Sequence, residues 1–238
     1  MPVEPLLTFS IQDYLKSIYE LTAVEGAAST TALAKRLSVS PASVTGMVQK
    51  LASHRPSLVV YRKHRGVTLT RRGTRAALEV IRHHRLLETW LVQSLGYSWD
   101  EVHGDAEKLE HAMSDKLEQH IAAALGNPDR DPHGEPIPSA RLVMPTDRSV
   151  ALVNLAAGEE AVVRRVGADD PAALKQLETL GLVIGAHVTA MGGPRRDEVM
   201  RLKVGSRRKT TPLGPRVTGR VYVQPIRKWK KVRKGKTA

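Results

Sequence analysis

Apolar residues recur at helical spacing through the first fifty residues and predict three helices. A first amphipathic helix is predicted over 9–26, where Gly26 favours a stop. A short helix over 32–37 follows, capped by Thr30 or Thr31, and Ser40 with Pro41 provides the N-cap and first residue of a helix over 41–52. The short turn between the last two indicates a helix–turn–helix.

The next segment alternates in the way of a β-hairpin. Residues 58–69 form two β-rich runs around a basic turn that contains Gly66, so the helix–turn–helix is predicted to carry a wing. A long helix over 73–95 ends at Gly96, and a second is predicted to run from Trp99 and Asp100 to about Leu125. The apolar residues of both helices exceed what a winged helix needs to cover and predict a homodimer interface: Leu86, Leu87, Trp90, Leu91, Leu109, Met113, Leu117 and Ile121.

The last third of the chain changes from helical to strand spacing. Residues 126–148 are rich in Pro, Gly and Asp and read as a linker. One helix, Pro171–Leu180, interrupts short alternating runs that predict a small SH3-like β-barrel: Val150–Leu155, Ala161–Val166, His187–Met191, Val199–Val204 and Arg220–Gln224. The predicted class is α+β, with a DNA-binding domain over 1–72, a helical metal-binding and dimerisation domain over 73–140, a barrel over 141–226 and a disordered basic tail over 227–238.

Charge is distributed unevenly along the 238 residues. Residues 30–85 carry twelve Lys/Arg and one acid, whereas residues 86–194 carry eight Lys/Arg and seventeen acids. The basic block is expected to meet a polyanion and the acidic block to hold cations. The chain has no cysteine, which excludes disulfides and thiolate ligands. It also lacks an apolar run of about 20 residues, so we expect a cytoplasmic protein without a membrane partner.

Imidazoles and carboxylates in and directly before the acidic block are spaced for metal binding. His103, Glu107, Glu110 and His111 have offsets of 0, 4, 7 and 8, which place all four on one face of a single helix. His84 and Glu88 form a second pair at i, i+4 spacing. These are ligand types that first-row divalent ions accept. Either set alone is more typical of a solvated polar face, whereas two sets on adjacent helices are as typical of a metal site as of such a face.

Four stretches together resemble the diphtheria-toxin-repressor family of metal-dependent transcriptional regulators: residues 13–21 (DYLKSIYEL), 43–51 (SVTGMVQKL), 84–88 (HRLLE) and 107–115 (EKLEHAMSD). The linker motif at 132–138 (PHGEPIP) is also similar to that of the family. The C-terminal part resembles, more weakly, the SH3-like, FeoA-type domain of its longer members. The resemblance implies a homodimer that represses metal-uptake genes by binding a palindromic DNA operator when it is loaded with Mn(II) or Fe(II).

The resemblance also implies about two metal sites per subunit. Matched to the family motif, the primary site would be Asp13, Glu107, Glu110 and His111, and the second would be His84, Glu88 and His103. In longer members an acid and an amide of the C-terminal domain complete the second site. Here Asp170, with Asp169 beside it, stands at the acid position, and the amide position is Ala173, which has no side-chain ligand atom.

The composition of the primary site favours manganese. Iron-responsive relatives place sulfur ligands at the positions of Asp13 and Glu107, whereas this chain has carboxylates at both, as manganese-responsive relatives do. Hard oxygen ligands suit Mn(II), and Fe(II) remains the alternative. Lys16 stands where one manganese regulator has a further carboxylate, which argues against a binuclear centre of that type.

The basic block supplies the candidate DNA contacts. The recognition helix would present its first residues to base edges, and the basic wing tip would contact phosphates. Gly46 either permits close approach to DNA or marks a lost base contact, and the basic tail either adds nonspecific affinity or only solubilises. The full predicted set is Thr31, Ser40, Pro41, Ala42, Ser43, Thr45, Gly46, Lys50, Arg62, Lys63 and Arg65.

Two functions of other classes remain open on the residues alone. A metallohydrolase would use the His/Glu cluster with an open coordination position, but it leaves the winged helix unexplained and predicts a small-molecule substrate that nothing else in the sequence suggests. A metal-independent DNA-binding protein with a vestigial site would bind its operator without metal. Operator binding with and without metal distinguishes these hypotheses from the metal-dependent regulator.

Overall fold

The computed structural model describes residues 7–167, 170–192, 199–205 and 210–226. These residues divide into two compact units. Those of the first fall within Met1–Tyr97, Gly104–Asp131 and Pro136–Pro145, and those of the second within Ser98–His103, Pro132–Glu135 and Thr146–Ala238. The predicted basic tail, 227–238, lies outside the described residues.

The first unit begins with the helices α1 (Phe9–Glu25), α2 (Thr30–Arg36) and α3 (Pro41–Ser53). Ser40 caps α3 as predicted, because its hydroxyl accepts a hydrogen bond from the Ser43 amide at 3.1 Å. The predicted cap of α2 was wrong: Ser29 accepts from the Ala32 amide, and Thr30 is already helical. The three helices and the hairpin bury a common core that includes Leu15, Ile18, Leu33, Val44, Val48, Leu51, Leu58 and Val67.

The wing is a two-stranded antiparallel hairpin, β1 (Val59–Arg62) and β2 (Gly66–Leu69). Thr70 then caps the long helix α4 (Arg71–Leu95), which Gly96 ends in a left-handed conformation. Gly73 in the first turn of α4 lies against the start of the hairpin. A Cβ there would stand 2.0 Å from the carbonyl oxygen of Leu58, so the close approach of helix and hairpin requires glycine.

The single helix predicted from residue 99 to about 125 is wrong. The segment instead forms α5 (Val102–Leu109), a 3-10 turn (Glu110–Ala112) and α6 (Asp115–Ala124). Met113 is extended, and the Ser114 hydroxyl accepts a hydrogen bond from the Leu117 amide at 3.3 Å to start α6. A serine followed by acids is a helix-start signal, and here it prevails over the continuous apolar spacing.

The second unit contains a six-stranded antiparallel sheet with the order β3-β8-β4-β5-β6-β7. No pairing joins the edge strands β3 and β7 among the residues described, so the sheet there is open. The helix α7 spans Pro171–Leu180 as predicted, but the strand predicted over Val150–Leu155 ends at Ala151 and continues as a 3-10 turn. The strands are β3 (Val150–Ala151), β4 (Glu160–Val166), β5 (His187–Gly192), β6 (Met200–Val204), β7 (Thr210–Leu213) and β8 (Val221–Pro225), and a short helix α8 (Pro215–Thr218) precedes β8.

Alternating residues of the strands face a core closed by α7. The core contains Ala161 and Val163 of β4, Val188 of β5 and Leu202 of β6, which are buried together with Leu174 of α7. The sequence pattern missed β7 and α8, because Pro212 and Pro215 interrupt the spacing there. Within the described ranges, every helix is too short or too polar to span a bilayer.

Candidate metal centre

Three of the predicted primary ligands lie together in the first unit. Asp13 comes from α1, and Glu110 and His111 begin the 3-10 turn that follows α5. One ligand atom of each lies within 4.8 Å of those of the other two. His111 Nε2 is 3.0 Å from Asp13 Oδ1 and 3.6 Å from Glu110 Oε1. The site therefore joins the first helix of the DNA-binding segment to the turn between α5 and α6.

The spacing and chemistry of these atoms fit a divalent ion. Octahedral coordination at about 2.1 Å places neighbouring ligand atoms about 3 Å apart and opposite ones about 4.2 Å apart. Two carboxylates and one imidazole form a hard-to-borderline set that suits Mn(II) and Fe(II). Asp13, Glu110 and His111 could hold such an ion, and its charge would compensate the two carboxylates.

The imidazole of His111 is oriented by residues that the sequence pattern did not single out. The Gln12 amide nitrogen donates to the Leu7 carbonyl at 3.0 Å, so its oxygen faces His111 Nδ1 at 2.7 Å and accepts the proton there. Phe9 stacks on the ring, with centroids 4.9 Å apart. With the proton on Nδ1, Nε2 is the atom available to a metal, which is the usual arrangement around a ligating histidine. A glutamine before a ligand aspartate carries no periodic signal.

Glu110 is the most buried member, with 1 % of its surface exposed. Lys16 Nζ donates to both carboxylate oxygens, at 3.0 and 2.9 Å, and His84 Nδ1 lies 2.5 Å from Oε2. Burial opposes ionisation, but the hydrogen bond from His84 and the charge of Lys16 hold the pKa of Glu110 below its ordinary value. Lys16 stands three residues after Asp13, on the same helical face, and this spacing was the signal that could have placed it here.

The other carboxylates of the predicted primary site are more accessible. Burial raises the pKa of Asp13, and the charge of Glu110 adds to this, while His111 and Lys16 oppose it. Glu107 lies on α5 with an exposed side chain, and its charge contributes to the raised pKa of Asp13. The close group contains Asp13, Glu110 and His111, and Glu107 as a fourth ligand stays a prediction.

Two residues of the second predicted site, His84 and Glu88, lie together in the first unit. His84 Nε2 lies 3.0 Å from Glu88 Oε1, and both side chains are buried on α4. Burial lowers the pKa of His84, but Glu88 and Glu110 outweigh it and raise this pKa to about 9. His103 and Asp170 belong to the second unit, where Asp170 caps α7 by accepting from the Ala173 amide at 3.1 Å. Asp169 lies outside the described residues. The second site stays a prediction.

The predicted DNA contacts occupy the accessible side of the helix–turn–helix and wing. Thr45 is partly buried, and its hydroxyl donates to the Pro41 carbonyl at 3.0 Å, so the hydroxyl hydrogen is already engaged within the helix. A Cβ on Gly46 would meet no protein atom within 4 Å, so the protein itself does not require glycine there. The remaining predicted contacts are exposed: Thr31, Ser40, Pro41, Ala42, Ser43, Gly46, Lys50, Arg62, Lys63 and Arg65.

Comparison with protein families gives three consecutive matches. The iron-dependent repressor N-terminal DNA-binding domain matches residues 6–67, the iron-dependent repressor metal-binding and dimerisation domain matches 70–139, and the FeoA domain matches 150–225. These matches confirm the α+β class, with a DNA-binding domain, a helical dimerisation domain and a small C-terminal sheet domain.

Individual relatives agree with these matches. The iron-dependent repressor IdeR of Mycobacterium leprae is 34% identical over 200 residues, 79% of this chain and 86% of that protein. The HTH-type transcriptional regulator MntR of Lysinibacillus sphaericus is 36% identical over 126 residues, 51% of this chain and 88% of that protein. A solved manganese-dependent transcriptional repressor in complex with manganese is 38% identical, covers 91% of this chain and all of its own, and superposes with a TM-score of 0.82.

The match to IdeR of Mycobacterium leprae exceeds 30% identity and extends over most of that protein, which establishes the family of this chain. The family consists of DNA-binding regulators rather than enzymes, so the metallohydrolase hypothesis is set aside. The chain belongs to the diphtheria-toxin-repressor family of iron- and manganese-dependent transcriptional repressors, in its long form with a FeoA-type C-terminal domain.

Proposed function

We propose that this protein is a manganese-dependent repressor whose primary metal site consists of Asp13, Glu107, Glu110 and His111. The observation that carries the proposal is the close group of Asp13, Glu110 and His111, in which every candidate ligand atom is oxygen or nitrogen. Such a set favours Mn(II) through hardness and geometry, since ligand affinity alone favours later metals. The 38% identity to a manganese-dependent repressor supports the same metal.

The proposed mechanism couples metal binding to the position of the DNA-reading helices. Asp13 lies on α1, which packs with α2 and α3, whereas Glu110 and His111 follow α5. Asp13 on one segment, and Glu110 and His111 on the other, would hold the ion between them, and its two positive charges would favour one orientation of α1. In a homodimer, this would hold two recognition helices about 34 Å apart, the spacing that a palindromic operator requires. Metal binding would then shift the population towards the DNA-binding form.

The dimer would use the helices after the wing. Two residues of the predicted interface set remain available to a partner, since Leu109 and Leu117 are 45% and 49% exposed in the single chain. The structure buries most of the others within the chain itself: Leu86, Leu87, Leu91, Met113 and Ile121. We assign DNA binding to 1–72, metal binding and dimerisation to 73–140 and the FeoA-type domain to 141–226. His84, Glu88, His103 and Asp170 are proposed as the second site, which gives about two ions per subunit. Repression of metal-uptake genes in the cytoplasm follows from this function.

An iron-dependent repressor is the second candidate, because the 34% identity to IdeR extends over 79% of the chain. The two differ in which ion produces operator binding at low concentration. The presence of carboxylates at Asp13 and Glu107 argues for manganese, since a sulfur ligand would favour the borderline metals.

Operator binding under defined metal conditions tests the proposal. Operators selected from random duplexes are titrated anaerobically with protein and Mn(II), Fe(II), Zn(II) or chelator. We expect tight binding to a palindromic site with Mn(II), and none with chelator. His111→Ala should abolish the response, whereas His120→Ala, an exposed imidazole of α6, should retain it. Equal binding with chelator would refute metal dependence, and a response to Fe(II) alone would favour the second candidate.

A further inference from the structure

Lys16 forms an ion pair with Glu110, a carboxylate that is a ligand of the proposed metal site. Lys16 Nζ lies 3.0 Å from Oε1 and 2.9 Å from Oε2 of Glu110, and 3.2 Å from Nδ1 of His84. The Lys16 side chain is 11% exposed and that of Glu110 is fully buried. The ammonium thus touches a ligand of the proposed primary site and a ligand of the proposed second site.

We propose that Lys16 is a built-in competitor of the metal ion, which neutralises Glu110 in the metal-free protein and releases it when a divalent ion binds. The inference rests on the proposed function, because it assumes that Glu110 is a ligand. Its consequence is that Lys16 makes metal binding weaker than the ligands alone would, and so sets the metal concentration at which the repressor responds.

Electrostatics explains why the ammonium and the ion exclude each other. Both oxygens of Glu110 accept hydrogen bonds from Lys16, and Oε1 is the oxygen that faces His111 Nε2. An ion bound to Oε1, Asp13 and His111 would lie on the same carboxylate as the ammonium, within a few Å of it. Like charges at that distance repel strongly in a partly buried site.

Burial explains what the lysine contributes in the metal-free protein. A carboxylate with 1 % of its surface exposed is costly without a compensating charge. Lys16 supplies such a charge beside that of His84, and it does so from the same helix that supplies Asp13, three residues away. Glu110 is therefore linked to α1 in both states, through Lys16 without metal and through the ion and Asp13 with it. A purely structural ion pair would stabilise the fold without opposing the metal.

Mn(II) affinity of the full-length protein distinguishes these roles. Lys16→Met keeps the aliphatic stem and removes the charge. We expect it to bind Mn(II) about tenfold more tightly or better, the size expected from removing one close charge–charge repulsion, and to melt at a lower temperature without metal. Lys108→Met is the matched control, since Lys108 is 76% exposed and pairs with Asp105 rather than with Glu110. It should change the Mn(II) affinity less than about twofold, as exposed charges are screened.

The outcomes separate this inference from the proposed function. If Asp13→Ala binds Mn(II) as tightly as the wild type, the metal site itself is wrong. If Asp13→Ala binds Mn(II) more weakly than the wild type, the metal site stands. If Lys16→Met then binds Mn(II) no more tightly than the wild type, only the competitor role of Lys16 is overturned. Lys16→Gln, which retains a donor for Glu110, serves if the Met variant does not fold. Reductive methylation of lysines in the wild type tests the release of Lys16 without any substitution. The Lys16 amine should be methylated faster after Mn(II) is added, because it is no longer bound to Glu110. An unchanged rate contradicts this release.

Discussion

The buried charges around Glu110 and the exposed charges of the wing show opposite ways of using ionic groups. Glu110 has partners on both oxygens, Lys16 and His84, and nearly no contact with solvent. Arg62 and Lys63 in the wing extend into solvent. The buried group is fixed and must be compensated within the protein, whereas the exposed group is screened and can exchange its counterions for phosphates.

This difference predicts where substitutions act. Changes at the buried group should alter folding stability and metal affinity together, because the same carboxylate serves both. Changes on the wing should leave stability almost unchanged and act on DNA affinity in a salt-dependent way.

Glu110→Ala should have the largest effect. It removes a proposed ligand and leaves Lys16 and His84 without their shared carboxylate, so Mn(II)-dependent operator binding is lost. Breaking one buried ion pair costs about 3–5 kcal/mol, and we expect the free energy of unfolding of the metal-free protein to fall by about that amount. Urea denaturation in chelator and a gel shift with Mn(II) measure the two effects.

Glu107→Ala is the control for this substitution. It makes the same change in charge at an exposed carboxylate one turn earlier, on α5. Its unfolding free energy should stay within about 0.5 kcal/mol of the wild type, as for most surface substitutions. Equal destabilisation by the two variants would contradict the contrast between buried and exposed charge.

The stability of the metal-free protein should depend on pH through His84. The pKa of His84 is raised from 6.5 to about 9 by Glu88 and Glu110, against the effect of burial. A raised folded-state pKa gives stability that is complete below pH 6.5 and is lost as pH rises towards 9. At about 1.4 kcal/mol per pH unit of pKa difference, the loss is about 3 kcal/mol. The pKa of Glu110 is lowered, so its contribution to folding stability is present above pH 4.5 and is lost as pH falls below that value.

Urea denaturation in chelator between pH 6 and 9 measures this dependence. His84→Gln should flatten the alkaline slope, because it removes the proton that the two carboxylates bind. His120→Gln, at an exposed imidazole of α6, should leave the slope as in the wild type. An identical slope in His84→Gln and wild type would show that His84 does not carry the alkaline loss.

The sequence predicted the exposed helix–turn–helix and wing better than the buried charges around Glu110. Ser40, Pro41 and the basic turn after Tyr61 placed the recognition helix and wing, because caps and turns are local signals. The spacing of Lys16 from Asp13 places both on one face of α1, but it does not predict the contact of Lys16 with Glu110. That contact, like the contact of Gln12 with His111, joins residues about a hundred positions apart, which no local pattern encodes. The break before Ser114 was missed because apolar spacing continued across it, although the capping residue itself was readable.

Metal preference should shift when the hard ligands are replaced. Asp13→Met with Glu107→Cys introduces a thioether and a thiolate, which bind Fe(II) and Zn(II) better than Mn(II). We expect the ratio of Mn(II) to Fe(II) affinity to fall by about tenfold or more, or about 1.4 kcal/mol. Anaerobic titrations of both proteins measure this ratio. An unchanged ratio would mean that geometry, rather than ligand hardness, sets the preference.

The smallest effects are expected on the exposed side, and they differ in kind. Arg65→Ala in the wing should weaken binding to all duplexes alike and lower the salt slope of log K by about 0.9, because a phosphate contact carries no base information. Thr45→Ala should act on the selected operator alone, by about 1 kcal/mol, since its hydroxyl hydrogen is engaged by Pro41 and its methyl group and hydroxyl oxygen are the parts that can contact a base. Arg141→Ala, an exposed arginine outside the helix–turn–helix and wing, is the matched control for charge. Competition between operator and scrambled duplexes at two salt concentrations separates these effects, and a sequence-selective loss in Arg65→Ala would assign base recognition to the wing instead of the helix.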